Sequence, residues 1–121
     1  MAICKILIVD DSKTDLLNLK HMLEGSNFEI ITATSGEQAI QKAESEQPNL
    51  ILLDIVMKGI DGYRACREIT KNPKTSSIPV IFVSSKKQRA DQMWAIKQGG
   101  KSIVSKPYTK DQIIEQISNH A

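Results

Sequence analysis

No apolar run in this sequence approaches the roughly 18 residues that would suggest a membrane span, and the amino terminus lacks the charged segment, apolar stretch and cleavage site of a secretory signal. Insertion into a membrane is therefore not expected. Cysteine is scarce: Cys4 and Cys66 lie far apart and form no CxxC pair. Cys4 sits in an apolar run and reads as a small buried hydrophobe, so free thiols and a cytoplasmic setting are expected. An excess of one charge is also missing. Sixteen basic residues face fourteen acidic ones for a net charge of +2, and the lysines are mixed with acids along the chain. That distribution gives no basic stripe for nucleic acid. The phosphate-cradling pattern G-x-x-x-x-G-K-[ST] is absent, which excludes a P-loop nucleotidase. Linkers, low-complexity segments and solenoid repeats are absent too, and 121 residues suit one domain spanning 1–121.

The sequence is organised around Leu50-Ile51-Leu52-Leu53-Asp54, four aliphatic residues running into one carboxylate. A short, unbroken apolar run of this kind reads as a strand buried on both faces of a parallel sheet. Similar runs occur at Ile3–Val9, Phe28–Ala33, Pro79–Val83 and Ile103-Val104. Between them lie helical patterns. Ser12, Ser35 and Thr109 each open a capping-box spacing, and Gly25, Pro48, Asn72-Pro73 and Gly99-Gly100 mark helix ends. The third helix is expected over 63–71 and the fourth over 88–98, with Ile113, Ile114 and Ile117 as the buried stripe of the fifth. Five repeats of strand then helix predict an α/β fold with one five-stranded parallel sheet covered on both faces by five helices. Right-handed crossovers and this length favour the flavodoxin-like strand order 2-1-3-4-5.

On that topology four strands end in polar residues at one edge of the sheet: Asp10 and Asp11, Asp54, Ser84, and Lys106. Open α/β sheets place their ligand crevices at this edge. Three crowded carboxylates repel unless a cation neutralises them, and hard oxygen ligands with room for water and phosphate suit Mg²⁺. An ammonium and a hydroxyl nearby suit the oxygens of a phosphoryl group, and one carboxylate of the set has the chemistry to become an aspartyl phosphate. Taken singly, each signal has a bland counterpart: a helix cap for Asp10-Asp11, a strand-ending acid for Asp54, a turn residue for Ser84, a solvated charge for Lys106. Their convergence carries the weight.

The stretches Ile6-Leu7-Ile8-Val9-Asp10-Asp11-Ser12, Leu52-Leu53-Asp54-Ile55-Val56-Met57, Asp61-Gly62, Ile78-Pro79-Val80-Ile81 and Lys106-Pro107 resemble the receiver domains of two-component response regulators, specifically the free-standing CheY-like kind. They span the chain in that family's order and spacing. The resemblance implies that Asp54 accepts phosphate from the phosphohistidine of a CheA-like histidine kinase. It also implies that Asp11, Asp54 and the backbone carbonyl of Val56 bind Mg²⁺, with Asp10 contributing through water. Ser84 and Lys106 would contact the phosphoryl group, and the Lys106–Pro107 bond would be cis. Around Trp94, the residues Asp91-Gln92-Met93-Trp94 and Gln98-Gly99 resemble PilH-type regulators of twitching motility and phototaxis; for Trp94 itself, a large half-buried helix residue is the plain alternative.

The sequence also departs from the family pattern. Lys58 stands where proline is usual, Ser85 where a small apolar residue is usual, and Gly100 where alanine is usual. Ile103 replaces the tyrosine or phenylalanine that swings inward on activation, and a β-branched side chain is stiff at χ1. Coupling is expected instead through the loop from Ser84 to Gln88. Val56 and Lys86 flank the site where the family tunes phosphate lifetime, and slow to intermediate self-dephosphorylation is expected. The chain ends at Ala121 just after the fifth helix, so output is expected to be binding of a downstream motility protein, or else removal of phosphate from a shared kinase. The expected docking face is the fourth helix, fifth strand and fifth helix, including Lys101, Ile103 and Tyr108. Two other classes stand beside this one. A flavin binder is disfavoured because Asp10-Asp11 would repel the cofactor's phosphate, and a phosphate-independent pseudo-receiver is kept alive by Ile103.

Overall fold

Strands and helices alternate along the whole chain of this computed structural model, which describes residues 4–85 and 88–120. The elements are β1 (Cys4–Val9), α1 (Lys13–Leu23), β2 (Phe28–Ala33), α2 (Gly36–Glu46), β3 (Leu50–Asp54), α3 (Gly62–Lys71), β4 (Val80–Ser84), α4 (Arg89–Lys97), β5 (Ser102–Ser105) and α5 (Lys110–His120). All four strand pairings are parallel and the order is β2-β1-β3-β4-β5, as the sequence predicts. The three inner strands carry continuous aliphatic runs because helices cover both faces.

Alternation along the strands sorts the core into two layers. Leu7, Val9, Ile51, Leu53, Val80 and Phe82 pack on one face against Ala39 and Ala43 of α2, Ala65, Cys66 and Ile69 of α3, and Ala95 of α4. Ile6, Ile8, Leu50, Leu52, Ile81, Val83 and Val104 pack on the other against Leu16, Leu19 and Leu23 of α1 and Ile113 and Ile117 of α5. The first layer is built largely from alanines on the helix side, so α2, α3 and α4 lie close to the sheet. Among the described residues, no helix is long and apolar enough to cross a membrane.

Caps set the helix ends much as expected. The Ser12 hydroxyl accepts from the Asp15 N–H and Ser35 from the Gln38 N–H. The box at α5 is reciprocal, with the Thr109 hydroxyl accepting from the Gln112 N–H and the Gln112 side chain from the Thr109 N–H. At α2 the return bond is shifted by one residue, since the Gln38 side-chain oxygen accepts from the N–H of Thr34 rather than of Ser35. α2 ends on Gln47 at φ 48°, a left-handed residue without glycine ahead of Pro48. Asp61 caps α3, which therefore starts at Gly62, one residue earlier than the sequence suggests.

Two details depart from expectation, and one lies outside the described residues. Cys4 is only partly buried, because it opens the strand at the rim of the sheet, whereas Cys66 is fully buried; both are free thiols. Ile114 is half-buried beside the fully buried Ile113 and Ile117. The expected first residue of β1, Ile3, lies outside the described residues.

Gly62 is the tightest glycine in the fold. Its N–H donates to the Ile55 carbonyl at 2.8 Å, and a Cβ there would lie 2.1 Å from the Asp54 carbonyl oxygen and 2.8 Å from the Ile55 Cα. Gly25, at φ +84°, faces open space. Gly62→Ala is expected to destabilise the fold by at least about 2 kcal/mol through overpacking against backbone. Gly25→Ala should cost only about 1 kcal/mol, from its left-handed backbone. Urea unfolding midpoints of the two variants check the order; a smaller loss for Gly62→Ala would contradict the close approach.

Candidate functional site

β1, β3, β4 and β5 deliver their last residues to the same edge because the strands are parallel and their registers agree: Val9 pairs with Leu53, Asp54 with Val83, and Ser84 with Ser105. Asp10 follows β1 directly, its N–H still donating to the Ala33 carbonyl of β2 at 3.2 Å. Lys106 follows β5, and its N–H donates to the Ser84 carbonyl at 2.8 Å. The peptide bond between Lys106 and Pro107 is cis.

Carboxylate oxygens of Asp10, Asp11 and Asp54 all lie within 4.8 Å of one another. Asp10 and Asp54 are buried and Asp11 is exposed, so the cluster opens to solvent on one side. Each carboxylate is fixed by backbone. Asp10 Oδ1 accepts from the Ser12 N–H at 2.9 Å, Asp11 Oδ2 from the Lys58 N–H at 3.0 Å, and Asp54 Oδ1 from the Ile55 N–H at 2.9 Å. The second bond ties the loop after β3 to the end of β1, even though lysine stands at position 58. Hard carboxylate oxygens at this spacing, open to solvent at Asp11, are a donor set suited to a small divalent cation.

Among the described residues, one ammonium answers the carboxylates. Lys106 Nζ lies 3.2 Å from Asp10 Oδ2, 3.2 Å from Asp15 Oδ2 and 3.7 Å from Asp54 Oδ2. Burial alone would lower the Lys106 pKa, but the charges of Asp54 and Asp10 and the bonds to Asp15 and Asp10 outweigh it and hold the ammonium above its usual value. Asp54 moves the other way from an ordinary carboxyl. Burial, reinforced by the charge of Asp10, raises it from 3.8 to about 6, against the opposing pull of Lys106. The site thus holds a carboxylate that is costly to keep charged, a feature typical of functional positions.

The structure brings together Asp10, Asp11, Asp54 and Lys106, with Ser84 buried at the end of the neighbouring strand. Val56 follows β3 with its side chain 61% exposed. Lys86 and the middle of the Ser84–Gln88 loop lie outside the described residues. Asp15 is the site residue that sequence reasoning missed, having been read only as a cap partner of Ser12. Its place in the first turn of α1, just after the strand end that carries Asp10 and Asp11, was the available signal. Gly62 was missed as a wall behind Asp54; a glycine in the first turn of a helix, where it lowers helix stability, was the hint.

Comparison with known proteins agrees with this geometry. Residues 6–118 match the response regulator receiver domain family. The chain belongs to that family. It is 39% identical to protein PilH of Pseudomonas aeruginosa over 114 residues, covering 94% of both chains. It is 34% identical to protein PilG of the same organism, covering 96% of this chain and 86% of PilG. A putative response regulator from Chloroflexus aurantiacus superimposes with a TM-score of 0.92 at 26% identity, covering 98% of this chain and 97% of that one. The Vibrio cholerae chemotaxis protein CheY4 shares the fold, with a TM-score of 0.92 at 20% identity over 99% of this chain and 100% of that one. The chain is therefore a response regulator receiver domain with a CheY-like fold.

The raised Asp54 pKa fixes a stability prediction. The folded receiver holds a proton on Asp54 more tightly than the unfolded chain does, so stability is lost as pH rises from about 4 through about 6. Asp54→Asn removes that loss while Lys106 keeps Asp10 and Asp15 as partners. In chelator, the variant is expected to be more stable than the parent by roughly 2 kcal/mol at about pH 7.5, with the difference vanishing near pH 4. Denaturant titrations at the two pH values check it; equal stability at the higher pH would show that Lys106 already offsets the burial.

Proposed function

We propose that this receiver domain is a phosphorylation-driven switch in which Asp54 accepts a phosphoryl group from the phosphohistidine of a CheA-like histidine kinase. The observation that carries the proposal is the placement of a desolvated Asp54 between two further carboxylates and one shared ammonium at the carboxyl edge of the sheet. Asp54 Oδ1 is held by the Ile55 N–H, which leaves Oδ2, on the Lys106 side, as the attacking oxygen. The Asp54 oxygen forms a bond to phosphorus, the phosphorus–nitrogen bond breaks, and its electron pair returns to the imidazole. Asp11, Asp54 and the Val56 carbonyl would hold Mg²⁺, with Asp10 acting through water. When bound, the metal neutralises charge on the carboxylates and on the transferring group. Lys106 and the Ser84 hydroxyl, one residue past the register partner of Asp54, are assigned to the phosphoryl oxygens.

Output is assigned to partner binding in the cytoplasm, with motility or taxis control the process that similarity to PilH and PilG favours. The proposed docking face joins α4, β5 and α5. Gln92 and Ile96 line a groove with Lys101, Ser102 and Ile103, and Ile103 also borders a second groove with Gln112, Glu115 and Gln116. Met93 and Ile96 expose 66% and 61% of their surface on α4, which places apolar side chains on this face. Lys101 and Tyr108 are assigned to the same face, and Tyr108 also lines a cavity with Asp15, Asn18 and Met22 of α1.

Incubation with acetyl phosphate and Mg²⁺, followed by intact-protein mass measurement, tests the assignment. A Mg²⁺-dependent phosphate adduct is expected, and it should be missing from Asp54→Asn. Metal binding without an adduct would favour the phosphate-independent docking module for which Ile103 speaks. The adduct should also hydrolyse at a slow to intermediate rate, because the apolar, exposed Val56 side chain offers nothing to position an attacking water. A half-life of seconds after removal of the donor would contradict that expectation.

A further inference from the structure

Lys106 carries three N–H donors, and two of them point at carboxylates other than the proposed phosphoacceptor. Asp10 Oδ2 and Asp15 Oδ2 each lie 3.2 Å from Nζ, within hydrogen-bond distance, whereas Asp54 Oδ2 stands at 3.7 Å. Asp10 is buried beside Asp54 and belongs to the acidic cluster. Asp15 does not: it sits in the first turn of α1, its side chain 45% exposed, on the wall of a cavity of about 390 Å³ that also borders Lys106 and Tyr108. The ammonium is thus stretched between the acceptor strand and helix α1, and the α1 partner holds the shorter contact.

We infer that Asp15 is a positioning residue that restrains Lys106, holding its ammonium back from Asp54 until a phosphoryl group draws it across. This inference rests on the proposed phosphoryl chemistry of the site. A phosphoryl group on Asp54 adds oxygens with up to two negative charges on the side where Lys106 now stands at 3.7 Å. A tighter contact with those oxygens competes with the bond to Asp15, so part of the phosphoryl-binding energy goes into releasing α1. Removing the Asp15 charge removes this competition. Because the Asp15–Lys106 pair is half-exposed, the effect is modest, about two- to fivefold in affinity for a phosphoryl mimic.

The measurement is the affinity of the whole chain for beryllofluoride in the presence of saturating Mg²⁺, followed by fluorine nuclear magnetic resonance. Asp15→Asn is expected to bind about two- to fivefold more tightly than the parent, and Asp15→Glu, which keeps the charge, to bind like the parent. Loss of any nearby negative charge would also favour an anion, so the effect is read again in a Lys106→Met background. There Asp15→Asn should change nothing. Unchanged or weaker binding by Asp15→Asn, or an equal gain with Lys106 absent, would overturn the restraint. Failure of the parent chain itself to bind beryllofluoride would instead count against the phosphoryl chemistry of the site.

Discussion

The structure depends on a shortage of positive charge at one edge of the sheet. Among the described residues, three carboxylates within 4.8 Å meet a single ammonium that is also shared with a fourth, Asp15. Two of the three are buried, so solvent does little to screen them. Such an arrangement is unfavourable to leave as it is and favourable to complete with a cation. That imbalance explains why the carboxylates are each tied down by a backbone N–H, from Ser12, Lys58 and Ile55. Without those bonds the side chains would swing apart into water and the site would dissolve into ordinary surface acids.

Holding the acids together is the task of the two packed layers beneath them. Leu53 and Val9 sit side by side under Asp54 and Asp10, and each is buried against α2, α3 and α4. Gly62 lets the start of α3 press directly on the Asp54 backbone, with its N–H bonded to Ile55. The acceptor is therefore braced on the main chain from strand and helix together. A rigid core of this density is what allows a small electrostatic event at the edge to move neighbouring elements rather than dissipate.

The sequence made the scaffold legible because the strands are buried on both faces and so read as unbroken apolar runs. Asp10, Asp11, Asp54, Ser84 and Lys106 were legible for a related reason: each stands within two positions of where such a run stops. Asp15 and Gly62 stand inside helices, where a carboxylate passes for a cap and a glycine for a helix start. Neither has a pattern of its own, and only the packing of α1 and α3 against the strand ends gives them a place in the site.

Ile103 shows how far the output side differs from the site. It pairs in register with Phe82 and packs half-buried on the alanine-rich layer, without a hydroxyl to offer the site. The aromatic groups lie elsewhere. Tyr63 of α3 meets Phe82 of β4 edge-on at 5.3 Å and Trp94 of α4 at 6.4 Å, and its hydroxyl reaches the Asp91 carbonyl at 3.4 Å. These contacts form a continuous column from the buried strand that ends in Ser84 to the helix that exposes Met93 and Ile96. Aromatic edge-to-face pairs have a narrow preferred geometry, so β4 and α4 are less free to slide independently than in a chain joined by aliphatic contacts alone. The residues that bind β4 to α4 are thus rings on three successive elements, while the position on β5 holds a stiff aliphatic side chain between two grooves.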